Sequence, residues 1–411
     1  MHSAGGETLE GGGGGVAPEG DESTLRRFIS LQADTLLVLA PRRLPTLACP
    51  ASNTDRAISI VTSVGFRQLP MQEYIDAART LAPDIVVGMG DVVYYPRGGG
   101  GGGGGGLPES TTTTTTTKTP SLKRISKMED RTLVWTRELV EELSHGSRNA
   151  GQSSTPALFV PILPIAHPHQ QIYLDHLVES LHLPQDTTTG IISGLALYDA
   201  ASTLDLPPPL RSLPRLCLAE PVDPHVLLRD VALGVDLVTV PFIGAATDGG
   251  IALDFRFGSP SPSPPSPPSP PSPLGVDMWD SAHSTSLTPL STGCTCHTCR
   301  THHRAYLQHL LVAKEMLGWV LLQIHNLHVM DAFFAAVRAS LAAGGSERFE
   351  EDRRAFARAY EPDLPPKSGL GPRVRGYQFK ANGPGEPKRN EPAYRTLDDS
   401  GPLAVPFPDI A

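Results

Sequence analysis

The sequence predicts an α/β protein: an irregular (β/α)8 TIM-type barrel, cut by low-complexity loops and carrying an inserted helical subdomain built on a cysteine knuckle. Three observations predict it. Short branched-apolar runs alternate with helical patterns through the middle of the chain, the order expected of a parallel sheet wrapped by helices. Three of the five cysteines fall within six positions, in the run GCTCHTC. Tracts that cannot pack interrupt this pattern: unbroken glycine at 98–106, unbroken threonine at 111–117 and a serine/proline alternation at 259–273.

The elements follow in order. The run AISIV at 57–61, a helical pattern over 71–81 and DIVV at 84–87 read as a βαβ unit. Past the glycine and threonine tracts, Thr119-Pro120 suits a helix start, proline being tolerated in the first turn, and the helix is expected to run to Leu143. A strand over 157–163, a helix over 170–183 and a strand over 190–197 come next. Residues 216–218, a helix over 224–233, a strand over 236–240 and a strand over 251–257 complete the series. An open doubly wound sheet is the competing reading, since periodicity cannot separate the two. No GxGxxG follows a strand and no GxxxxGK[ST] is present, so no nucleotide cofactor is indicated.

The knuckle carries the most specific chemistry. Cys294, Cys296 and Cys299 sit one and two residues apart, and His325 follows in the run LQIHNLH. Three soft thiolates and an imidazole make a set that closes a tetrahedron around Zn2+, and four protein ligands leave no position for an activated water. One structural zinc ion is therefore expected. Buried free cysteines or a disulfide pair are the plain alternative, less suited to so cysteine-poor a chain. His297, His302 and His303 are competing ligands. Tyr306, Leu307, Leu310, Leu311, Leu317, Val320, Leu321 and Ile324 recur at steps of three and four, predicting one helix with a single buried stripe that returns His325 to the knuckle. A second helix is expected from about Leu327, carrying Met330, Phe333, Phe334, Val337 and Leu341 and stopping at Gly344-Gly345. Cys49 and Cys217 receive no role.

Bulk properties exclude some classes. A formal charge of −9 over 411 residues argues against a chain that grips nucleic acid over its whole surface. Lys123, Arg124, Lys127 and Arg131 form a basic face at helical steps, read either as phosphate contacts or as a solvated face. Lys367 to Arg395 is a basic, Gly/Pro-rich tail. The first residues lack the apolar core of a secretory leader, and Lys314 and Glu315 interrupt the apolar stretch 307–324, so no stable membrane insertion is expected. Cysteines with metal-type spacing suit a reducing compartment. The expected organisation is a poorly defined segment 1–50, a barrel over 51–290, a zinc subdomain with its following helix over 291–345, and a helix and tail over 346–411.

The stretch GCTCHTCRTHHRAYLQHLLVAKEMLGWVLLQIHNLHVMDAFFAAVRASL closely resembles the zinc-binding part of tRNA-guanine transglycosylases. Weaker resemblance runs through RISKMEDRTLVW, GIISGLALYDA and LPRLCLAEPVDPHVLLRDVALGVDLVTVPFIGAATDGGIALDF, about half the chain in all. The resemblance implies an irregular (β/α)8 barrel with a zinc subdomain. Active members exchange guanine for a deazaguanine such as queuine at wobble position 34 of tRNAs with GUN anticodons. An aspartate nucleophile attacks the ribose anomeric carbon and a second aspartate moves protons. That nucleophile lies three residues after the Asp of a GVD motif; here the motif ends at Asp236 and the position falls on Thr239. A hydroxyl without a base is a poor nucleophile. On a strand, residues three apart point to opposite faces, so Asp236 cannot stand in. No DSGGFQ-like run exists, and IGAATDGG replaces the family's arginines.

Catalytic residues are accordingly expected to be absent. The resemblance implies a non-catalytic subunit that forms a heterodimer with a catalytic queuine tRNA-ribosyltransferase subunit and holds tRNA through the complex, in the cytoplasm, with mitochondrial outer-membrane association left open. An active transglycosylase with displaced carboxylates, or a zinc-stabilised interaction adaptor, are the alternatives.

Overall fold

The computed structural model describes residues 24–32, 34–46, 49, 52–62, 65–92, 120–149, 156–182, 192–258 and 270–366. The glycine and threonine tracts, most of the serine/proline tract, the first 23 residues and the basic tail lie outside the described residues.

The elements run α1 (Thr24–Phe28), β1 (Val38–Leu39), β2 (Ala57–Thr62), β3 (Gly65–Pro70), α2 (Met71–Leu81), β4 (Ile85–Val87), α3 (Leu122–Asn149), β5 (Ala157–Ile162), α4 (Gln171–His182), β6 (Ile192–Leu197), β7 (Arg215–Cys217), α5 (Pro224–Ala232), β8 (Leu237–Val238), α6 (Pro241–Gly249), β9 (Ile251–Leu253), β10 (Gly275–Asp277), α7 (His297–Thr301), α8 (Arg304–Val312) and α9 (Met316–Ala359). Six strands form one parallel sheet in the order β1-β4-β5-β6-β7-β8. The order never reverses, whereas a doubly wound sheet must reverse at its switch point. The architecture is thus a curled, singly wound sheet of the half-barrel kind. Among the described residues no ladder joins β8 back to β1, so these six strands make an open part of a barrel wall.

Two faces of this sheet bury two cores, as the strand period of two requires. Val86, Leu158, Val160, Leu195 and Leu197 point outward and pack with Tyr74, Trp135, Leu139, Tyr173 and Leu174 of the covering helices. Ile85, Val87, Phe159, Ala196, Leu216 and Leu218 point inward and form a separate cluster. Both edge strands line one cavity of about 460 Å³, where Val38 and Leu39 of β1 face Leu237 and Val238 of β8. That shared cavity is the mark of the curl.

Three sequence expectations need correction. The run at 57–61 does not enter the parallel sheet: β2 pairs antiparallel with β3, and Gly65, at a φ of 126°, opens the returning strand. The parallel partner of β4 is instead β1, so ordered structure begins well before residue 51. A run of alternating residues before a sharp turn fits a hairpin as well as a crossover, and periodicity cannot tell them apart. The helix expected to run unbroken to His325 is two helices. It breaks at Ala313-Lys314-Glu315, with Lys314 at a φ of 59°, and α9 then runs through Leu327 without interruption. The stripe divides accordingly: Leu307, Leu310, Leu311 and Leu321 are buried, while Leu317, Val320 and Ile324 are exposed.

α9 bends at Gly344-Gly345, whose backbone angles leave the helical region. The segment beyond the bend folds back so that Phe349 and Phe356 pack with Phe333 and Phe257. By length and composition α9 is the one described helix able to cross a bilayer, a test that buried helices also pass. Trp319, Leu322, Val329, Met330 and Phe333 are nonetheless all buried inside the molecule.

Candidate metal centre

The knuckle is shaped by its backbone. Gly293 takes a φ of 73°, a conformation that L side chains rarely adopt, and the Cys294 amide donates to the Ser291 carbonyl to close the turn. Cys296 is the N-cap of α7, its sulfur accepting from the Cys299 amide at 3.3 Å. Cys296 and Cys299 thus lie three apart on one helical turn, with Cys294 presented by the preceding loop. Thr298 ties α7 to α9 by donating to the Leu321 carbonyl at 2.7 Å.

The three thiols converge on one nitrogen. His325 Nδ1 lies 3.7 Å from Cys294 Sγ, 3.6 Å from Cys296 Sγ and 3.3 Å from Cys299 Sγ. All four donor atoms lie within 4.8 Å of one another. Zinc–sulfur bonds of about 2.3 Å and zinc–nitrogen bonds of about 2.0 Å, set tetrahedrally, place neighbouring donors about 3.5–3.8 Å apart. The three nitrogen–sulfur separations, 3.3 to 3.7 Å, lie around that spacing. The histidine is already in the ligating tautomer: Nε2 donates to the Leu253 carbonyl at 2.9 Å, leaving Nδ1 as the lone-pair nitrogen.

The electrostatics point the same way. Burial pushes the Cys299 thiol up to about 12 and raises Cys294, while burial lowers His325. The thiolates of Cys294 and Cys299 are not sustained there by protein groups alone. A bound cation would supply the missing charge and take the thiol protons off. The donors therefore fit a closed metal site, and their softness suits zinc.

None of the competing histidines enters. His303 caps α8, its Nδ1 accepting from the Tyr306 amide at 3.2 Å. His302 stacks on Tyr306 with ring centres 5.0 Å apart, and His297 meets His302 edge-on.

The C-terminal ends of the parallel strands are the other place where chemistry is expected in such a fold. Here the polar groups are occupied by structure. Thr239 donates to the Ala219 carbonyl at 2.6 Å. Asp236 lies at the other end of β8, just before Leu237, and accepts from the Arg215 amide at 2.9 Å, bracing the start of β7. Asp91, beyond the end of β4, is fully buried. Arg124 grips it with two nitrogens, at 2.8 and 2.5 Å, Arg131 joins at 3.1 Å, and the Asn53 carboxamide donates at 2.5 Å. The basic face on α3 is therefore split: Arg124 and Arg131 turn inward to this carboxylate, and Lys123 and Lys127 remain exposed. A chain segment also crosses this end. Leu44 packs onto the inner cluster, and the Thr46 amide donates to Glu220.

Sequence reasoning passed over Asp91. The signal was GMGD directly after the apolar run at 85–87, a carboxylate at a strand end. Asp254 accepts from Ser291 Oγ at 2.6 Å and so braces the loop before the knuckle.

Comparison with known proteins bears on this pair of sites. A family profile described as queuine tRNA-ribosyltransferase matches residues 110–362, which include the strand ends from β5 to β8 and all four donors. The chain belongs to this family. It is 32% identical over 377 residues to the queuine tRNA-ribosyltransferase accessory subunit 2 of Schizosaccharomyces pombe, covering 92% of this chain and 76% of the relative. The accessory subunit 2 of Anopheles gambiae is 27% identical, covering 84% and 74%. That of Xenopus tropicalis is 26% identical, covering 73% of each.

Proposed function

We propose that this chain is a non-catalytic subunit of a heterodimeric tRNA-guanine transglycosylase, pairing with a catalytic queuine tRNA-ribosyltransferase subunit and helping to hold tRNA. The observation that carries this reading is Thr239, a hydroxyl bound to a carbonyl where active members of the family hold the attacking carboxylate. At the same strand ends Asp91 is engaged by Arg124 and Arg131, and the segment that carries Leu44 and Thr46 crosses them; Asp236, at the opposite end of β8, is engaged by backbone. No carboxylate in this set is left to attack an anomeric carbon. We read the six-stranded sheet as most of a (β/α)8 wall, retained as a scaffold.

Docking is supported by the first turns of α9. Leu317, Val320, Ile324 and Leu327 are 37–50% exposed at steps of three and four, while the opposite side of the same helix is buried. An exposed apolar stripe on a rigid helix is a typical interface element. The zinc ion, held by Cys294, Cys296, Cys299 and His325, supplies no reaction step. It fixes the helix that carries the stripe. A cytoplasmic location is part of the proposal, supported by thiols that must stay reduced to bind metal, and cell fractionation checks it.

The test is reconstitution. Guanine exchange into tRNA is measured with this chain alone, with the catalytic subunit alone and with both. Exchange only, or much faster, with both supports the reading, and a covalent RNA adduct formed by this chain alone overturns it.

A further inference from the structure

The four metal donors do not account for the residue beside them. Asn326 is completely buried, and its carboxamide makes three hydrogen bonds to two other elements. Its Oδ1 accepts from the Leu253 amide at 2.9 Å; its Nδ2 donates to the Ile251 carbonyl at 3.0 Å and to Thr247 Oγ1 at 2.9 Å. The first two bonds have a recognisable form. One edge of β9 is taken by β10: the Asp254 amide donates to Leu274, and the Met278 amide donates to Gly250. In an antiparallel pair the intervening residues turn their polar groups the other way. Ile251 and Leu253 therefore present a carbonyl, an amide and a second carbonyl along the opposite edge, with no strand beside it among the described residues.

Buried backbone groups of this kind must find partners. They find them in two consecutive side chains. Asn326 takes the Ile251 carbonyl and the Leu253 amide, the pair of groups that one residue of a neighbouring parallel strand would take. His325 takes the Leu253 carbonyl through Nε2. The free edge of β9 is thus completed by the dipeptide whose first member is the fourth metal donor.

We propose that Asn326 is the positioning residue of the metal centre. By standing in for a missing strand on β9, it fixes α9 in rotation and height so that the Leu253 carbonyl meets His325 Nε2 and Nδ1 alone faces the thiols. This rests on the reading of the four donors as a zinc site. The segment that continues β9 grips the other half of the centre, because Asp254 holds Ser291 and Arg256 holds the Thr292 carbonyl, just before Cys294. β9 is therefore the common template on which the loop-borne and helix-borne donors are brought into register.

The experiment uses the intact chain and zinc alone. Asn326→Asp keeps an acceptor for the Leu253 amide but loses the donor to Ile251 and Thr247. Chelator competition should show zinc affinity reduced about 10- to 100-fold, the range for partners that orient a ligand without touching the metal. Nitrogen-15 spectra of the zinc-loaded chain should show metallated Nδ1 and a protonated, slowly exchanging Nε2 in the wild type, and a fast-exchanging Nε2 proton in the variant. A defect of stability alone would not change that proton. Should Asn326→Asp fail to fold, amide exchange in the wild type decides. A Leu253 amide that is protected with zinc and loses protection on chelation supports the proposal; one that exchanges freely in the loaded chain overturns it. Equal zinc affinity and an unchanged Nε2 proton in the variant also overturn it. A wild-type chain that holds no zinc defeats the metal reading itself.

Discussion

The knuckle and the strand ends contain similar raw material and use it in opposite ways. At the knuckle, three thiols and an imidazole nitrogen from two distant segments point at one another within 4.8 Å, although burial disfavours charged thiols there. At the strand ends, the carboxylates of Asp91 and Glu220 point at arginines and a backbone amide. The first arrangement is incomplete without a cation; the second is complete without a substrate. Polar groups that converge on one another with their charge unbalanced mark a ligand site, whereas groups that each meet a protein partner mark a scaffold.

Breaking the comparison at its strongest point gives the largest effect. Cys296→Ser exchanges a buried thiolate donor for a hydroxyl, and structural zinc contributes on the order of 10 kcal/mol to folding in small metal-bound units. Metal analysis should fall from one zinc per chain to nearly none, and the subdomain from Ser291 to Leu322 should become sensitive to protease.

At the strand ends the expected effect is smaller and concerns stability alone. Asp91→Ala leaves Arg124 and Arg131 facing each other without their shared anion, and removing one partner of a buried pair costs about 3–5 kcal/mol. Since the Arg124 side chain keeps 25% of its surface exposed, the lower end of that range is expected in a urea titration. If Asp91→Ala left stability unchanged while impairing exchange by the reconstituted complex, Asp91 would have to be moved to the functional side of the comparison.

The stripe on α9 sharpens the contrast between buried and exposed apolar groups. Leu310→Ala should lower stability by about 2–4 kcal/mol, as for other buried leucines. Val320→Asp should leave the isolated chain within about 0.5 kcal/mol of wild type, as is usual for surface changes. The same variant should abolish co-elution with the catalytic subunit. Unimpaired co-elution would move the docking surface elsewhere.

The smallest effect is a pH dependence. Burial and the adjacent Arg137 hold the His176 imidazole below its usual value. The unfolded chain thus binds a proton at higher pH than the folded one. This residue's contribution is intact above the ordinary histidine range and is lost as pH falls through the lowered folded value. His176→Gln should flatten a shallow fall in thermal midpoint on acidification.

Much of this was legible in the chain. The helices at 71–81 and 224–232 and the strands at 157–162 and 192–197 follow from local periodicity, because each buries one face against a neighbour of the expected kind. The donor set was legible because thiolates and an imidazole at that spacing have few other uses. The hairpin of β2 and β3 was not, since a run of alternating residues does not say which strand it will pair with. The break at Lys314 was hidden because Leu317, Val320 and Ile324 keep the helical step of the buried residues while lying on the surface.

By itself the sequence determined which groups could bind a metal and that strands and helices alternate. These depend on residue type and on spacing along the chain. Only the tertiary structure decided that the strands follow one another without reversal, that Arg124 and Arg131 serve Asp91, and that Asn326 completes an edge of β9. These join groups from 20 to 75 residues apart, and such pairings are set only once the chain has folded and each buried polar group has found a partner.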